Sequence, residues 1–137
     1  MNKSILFYGL LLLLFSSCKE GCQDCVGDGN YPTKAIVFYI NDTDDWIISE
    51  SVCDRDIAAG DTLIITFDDV LGVKPSVDAF PTSVFYCSKM QYKEGLTCED
   101  GINNIQFYED RKEVEPLVFE FTFRFTEEKK MQSEVCD

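Results

Sequence analysis

The stretch Phe119-Glu120-Phe121-Thr122-Phe123-Arg124-Phe125 alternates phenylalanine with polar side chains without a break. Successive side chains of an extended strand point to opposite faces, so these residues form a strand with one aromatic and one polar face. The aromatic face must be buried against a second layer. The same period of two recurs at 35–40, 46–52, 62–67, 82–89 and 102–108. Between these runs lie turn clusters such as Asn41-Asp42-Thr43-Asp44-Asp45 and Ala59-Gly60-Asp61. Short strands with no amphipathic helical period among them predict an all-β fold: an antiparallel β-sandwich whose two sheets bury their apolar faces against each other.

The chain has 137 residues, room for one domain. Its 25 acidic and 12 basic residues give a net charge of −13, which repels phosphate backbones and anionic headgroups. Nucleic acid is therefore excluded as a partner, and contact with a membrane has to come from a covalent group. The chain contains no histidine, so the commonest general base and the commonest metal ligand are both missing.

Residues 1–18 read MNKSILFYGLLLLLFSSC: Lys3, an apolar run over 5–15, then two serines and a cysteine. The run is too short to span a bilayer core, which takes about 20 residues, and small residues follow it as a processing site requires. Phe15-Ser16-Ser17-Cys18 resembles the lipobox of bacterial lipoproteins. The resemblance implies that 1–17 is a signal peptide and that Cys18 becomes the acylated first residue, carrying palmitate-type chains. Phe15 stands where that motif usually has leucine. Lys19-Glu20 after the cysteine is similar to the surface-export signal of Bacteroidetes-type lipoproteins, although Gly21 replaces its second acidic residue. Those resemblances imply an outer-membrane lipoprotein displayed at the cell surface, with the periplasmic face as the alternative.

Cysteine arithmetic agrees. Seven cysteines leave an odd thiol in an exported protein, and giving Cys18 to lipid leaves six for disulfides: Cys22, Cys25, Cys53, Cys87, Cys98 and Cys136. Residues 18–33 then form a lipidated tether, and 34–137 a disulfide-stapled, Ig-like sandwich of about six to seven strands. If the strands run alternately up and down, counting crossings puts all six cysteines at the tether end. The loops 41–45, 68–81 and 109–116 fall at the far end. Cys87 is expected to pair locally with Cys98, and Cys22 and Cys25 with Cys53 and Cys136 in an order left open.

The sequence offers residues for four kinds of chemistry. Cys22-Gln-Asp-Cys25 has redox spacing but sits in a Gly/Asp tether rather than at a helix N-terminus, so bridging is its expected role. The far-end carboxylates Asp42, Asp44, Asp45, Asp68 and Asp69 would suit Ca²⁺ if they converged, yet they lack the spacing of a loop that binds alone; a solvated acidic surface is the plainer reading. Trp46 and Tyr92 are the aromatics expected to reach a ligand, the other tyrosines being expected in the core. Paired carboxylates for hydrolysis do not stand out. The expectation is a non-enzymatic binding or accessory module for a protein, glycan or cation. It needs no cofactor beyond the Ca²⁺ option, and a small exported enzyme or a CxxC thiol-disulfide protein is the alternative.

Overall fold

The computed structural model of the chain describes residues 31–49, 55–71, 74–85 and 89–136. Its larger sheet contains β1 (Tyr31–Asn41), β3 (Thr62–Leu71), β6 (Glu109–Glu115) and β7 (Val118–Phe125), in the order β3-β1-β7-β6. The aromatic repeat forms β7, with Phe119, Phe121, Phe123 and Phe125 fully buried and the polar residues between them half-exposed. Beside them on the same face, β1 contributes Ala35, Val37 and Tyr39. β1 runs antiparallel to β3 but parallel to β7, with Lys34 opposite Val118 and Asn41 opposite Phe125.

The layer over this face is not a second sheet of comparable size. Among the described residues four short 3-10 turns lie over it, Val77–Ala79, Thr82–Val84, Asp100–Asn103 and Ile105–Phe107. These turns bring Phe80, Val84, Phe85, Ile102, Ile105 and Tyr108 into the core. Phe80 lies 5.1 Å from Phe119 and 4.8 Å from Phe121, centroid to centroid, and Tyr108 lies 5.1 Å from Phe123. Burying each such ring is worth roughly 2–3 kcal/mol. The aromatic layer therefore fills the role assigned to a second sheet.

The smaller sheet is short-stranded, in the order β2-β4-β5-β8, from β2 (Ile47–Ser49), β4 (Met90–Tyr92), β5 (Thr97–Cys98) and β8 (Glu134–Val135). It sits beyond the Asn41 end of β1, where Tyr92 meets Phe125 edge-on at 6.1 Å. One α-helix among the described residues, α1 (Glu127–Gln132), follows β7. Thr126 caps it by accepting from the Lys129 amide, with Glu127 and Glu128 in the first turn and Lys129 and Lys130 in the last.

The antiparallel, Ig-like, all-β sandwich is thus corrected to a mixed α/β fold with two four-stranded sheets and both parallel and antiparallel pairing. The run at 102–108 is folded as 3-10 turns, which put Ile102, Ile105 and Tyr108 into the core and leave Phe107 exposed instead of extending a ladder. Residues 109–115, expected as a loop, form an edge strand.

The up-and-down count of loops also fails. The expected second strand does not cross back along β1. The chain leaves β1 at Asn41, turns through the small sheet and starts β3 at the same end, where the Asn41 amide donates to the Asp61 carbonyl at 2.9 Å. Cys98 pairs with Cys136 across Cα atoms 5.1 Å apart, not with Cys87, and so Cys136 is not taken by Cys22 or Cys25. That bridge lies in the small sheet, at the Asn41 end. The tether enters β1 at Tyr31, about 30 Å away at 3.3 Å per residue. Cys18, Cys22, Cys25, Cys53 and Cys87 lie outside the described residues.

Candidate functional site

The expected acidic pole is not assembled. Asp42, Asp44 and Asp45 follow β1, whereas Asp68 and Asp69 stand opposite Lys34 and Thr33 in the ladder, near the beginning of β1. The turn 41–45 is organised from within. The fully buried Asn41 amide donates to the carbonyls of Asp45, Ile57 and Ala58 at 2.7, 3.1 and 3.1 Å, and its Oδ1 accepts from the Thr43 amide and hydroxyl. Asp45 is committed too: Oδ1 accepts from Trp46 N–H at 2.7 Å, and Oδ2 accepts from Glu94 N–H at 2.8 Å and pairs with Lys130 at 3.3 Å. Burial alone would raise its carboxyl, but these two amides and the ammonium outweigh it and hold the group below the usual range. Asp42 is paired with Arg124 at 2.8 Å. Among the described residues no three His, Cys, Asp or Glu side chains gather closely enough to hold a metal ion.

The two expected ligand aromatics part company. Trp46 is 46% exposed, with the Lys93 ammonium 5.5 Å from its ring centroid. Tyr92 is fully buried, on β4 rather than in a loop. Its hydroxyl nevertheless leads to the most site-like feature of the molecule.

Tyr92 donates to Oε2 of Glu99 at 2.8 Å, while the Gly101 amide donates to Oε1 at 3.0 Å. Glu99 is only 8% exposed and sits between two clefts that share Cys98, Glu99 and Asp100 as walls. The larger, about 500 Å³, runs between the 3-10 turn Asp100–Asn103 and α1. At its rim Phe107 is 52% exposed. Gly101 fits closely here: a Cβ would lie 2.9 Å from Glu99 Oε1 and 3.2 Å from the Phe107 ring, so any larger residue displaces one of them.

The cleft also contains Asp100, Glu109, Glu128 and Lys129. Glu109 is held by Arg124 at 3.1 Å. Lys129 turns inward, donating to the Arg124 carbonyl at 2.6 Å with its ammonium 4.0 Å from the Phe123 ring centroid. Burial lowers its pKa, and the charges of Glu99 and Glu109 act the other way. Glu99, Asp100 and Glu128 have no cation within ion-pair distance among the described residues. A recess with spare negative charge and an exposed aromatic ring suits an organic cation, which gains from both.

Sequence reasoning passed over this cluster because it read 102–108 as a strand. The run Cys98-Glu99-Asp100-Gly101 did carry a turn signal, an acidic side chain two residues before a glycine. Compared with known proteins, the chain matches no family model, no curated protein and no solved structure.

Proposed function

We propose that the chain is an outer-membrane lipoprotein, acylated at Cys18, that works as a binding module and takes a positively charged side chain of a partner protein into the Glu99 cleft. The observation that carries this reading is the buried Glu99 carboxylate, fixed by Tyr92 and the Gly101 amide beside the exposed ring of Phe107. A preset carboxylate costs little further ordering when an ammonium or guanidinium arrives. The net charge of −13 adds steering of basic partners. The disulfide Cys98–Cys136 stiffens one wall. Surface display follows from Lys19-Glu20, and the cleft lies at the end of β1 remote from Tyr31. The test is a cross-linked pull-down from intact outer membranes with the lipid retained. A partner recovered with the natural chain and lost with Glu99→Gln supports the reading; recovery unaffected by Glu99→Gln removes it.

One observation favours a second reading, a small exported enzyme. The desolvated Lys129 shares the cleft with Glu99, an arrangement used for acid–base chemistry. Turnover of an ester or glycoside substrate abolished by Lys129→Met, with binding retained, would replace the binding-module reading.

A further inference from the structure

The two edges of the larger sheet are built differently. In β6 every residue except Val114 is charged, and its pairing with β7 is interrupted by two register shifts. Charges and irregularities of this kind are how proteins keep an edge from pairing with another chain. The opposite edge, β3, carries charge only at Asp68 and Asp69. Thr62-Leu63-Ile64-Ile65-Thr66-Phe67 is uncharged and free of proline, and β3 pairs with β1 over ten consecutive residues without a shift.

The hydrogen-bonding phase shows which groups are left over. Asn41 N–H donates to the Asp61 carbonyl, which puts residues 61 and 63 and their alternates in bonded pairs with β1. The N–H and C=O groups of Thr62, Ile64, Thr66 and Asp68 therefore point away from β1, and no backbone group among the described residues takes them up. Side chains on both sides of this edge are also incompletely covered. Ile64 is 53% exposed on the outer face, and Leu63 and Ile65 are only partly buried on the inner one.

We propose that β3 is a docking edge that takes an extended segment of another protein as a fifth strand, with alternate apolar residues and a basic residue near each end. The backbone groups supply the ladder, and apolar side chains of the incoming strand would cover Leu63, Ile65 and Ile64. The basic ends follow from charge: exposed Asp61 and Asp68 flank the uncharged run. A second copy would bring the same acidic ends and another net charge of −13. The tether sequence 19–30, with Glu20, Asp24 and Asp28 and no apolar alternation, is chemically unsuited to the position. This edge is separate from the Glu99 cleft and does not depend on it.

The probe is a synthetic peptide of alternating valine and threonine with a lysine at each end, compared with one ending in glutamates, added to the complete chain in detergent. Amide hydrogen exchange is followed at Thr62, Ile64, Thr66 and Asp68. The lysine-ended peptide is expected to slow all four at least tenfold, the glutamate-ended peptide to leave them unchanged, and Glu99→Gln to have no effect. Thr66→Pro, which removes an outward N–H, abolishes the protection; if that variant does not fold, Ile64→Lys serves in its place. Equal protection by both peptides, protection by neither, or protection that appears with rising protein concentration alone would overturn the proposal.

Discussion

The Tyr92 hydroxyl donates to Oε2 of Glu99 at 2.8 Å, tying the core of the small sheet to the floor of the cleft. The bond is charge-assisted and buried, so losing one partner leaves the other unsatisfied. Tyr92→Phe is expected to cost about 1.5–3 kcal/mol in urea unfolding. A change under about 0.5 kcal/mol would mean that Glu99 finds another donor.

Gly101→Ala tests the close approach on the other side of the same carboxylate. A methyl group placed 2.9 Å from Glu99 Oε1 and 3.2 Å from the Phe107 ring must displace one of them. The expected result is weakened binding of a lysine-containing tetrapeptide by roughly tenfold, about 1.4 kcal/mol at 25 °C. Unchanged affinity in calorimetry would contradict the assigned geometry.

Asn41 predicts a large effect from a small change. Asn41→Asp keeps the shape but turns a carboxylate toward the carbonyls of Asp45, Ile57 and Ala58, which now accept from the amide. The cost should exceed about 3 kcal/mol, a large part of a domain's stability, and lower the melting temperature steeply. Thermal unfolding within about 2 °C of the natural chain would show that the turn is not organised by this side chain.

Alkaline pH should unfold the protein through its buried tyrosines. Burial raises the pKa of Tyr39, Tyr92 and Tyr108, with the Glu99 charge adding to the rise at Tyr92 and the Tyr39 hydroxyl adding to it at Tyr108. Because the unfolded groups ionise near 10, their contribution is complete below about pH 10 and is lost as pH climbs beyond it. Lys129 works in the opposite sense: its lowered pKa carries a penalty that is relieved as pH rises toward its unfolded value. One such group does not offset three. Melting temperatures should be level to about pH 9.5 and then fall, less steeply in Tyr92→Phe. A level profile to pH 11 would contradict this assignment.

How much of this was legible beforehand differs from element to element. The phenylalanine alternation placed β7 and its buried face correctly, because period two is a property of the strand itself. What covers that face was not legible. Phe80, Val84 and Phe85 reach it from 3-10 turns and irregular backbone, whose apolar spacing resembles that of a short strand. Loop parity assumed that every apolar run spans the sheet, and β2 is only three residues long. The helix α1 was signalled by Thr126 with two glutamates and then two lysines, but six residues are too few for a hydrophobic period to show. The cleft depends on Tyr92, Glu99, Gly101 and Phe107 meeting across a turn, and no pattern in the chain encodes that meeting.

The central claim is that the Glu99 cleft binds a cationic side chain, and chemical-shift perturbation at the Gly101 amide tests it most directly, because that N–H donates to Glu99 at 3.0 Å. Titrating a tetralysine peptide into the complete chain in detergent should move the Gly101 and Phe107 amides in a saturable way, weaken with added salt, and leave both unmoved in Glu99→Gln. Saturable shifts confined to other acidic surfaces, or shifts of equal size at Gly101 in Glu99→Gln, would contradict the claim.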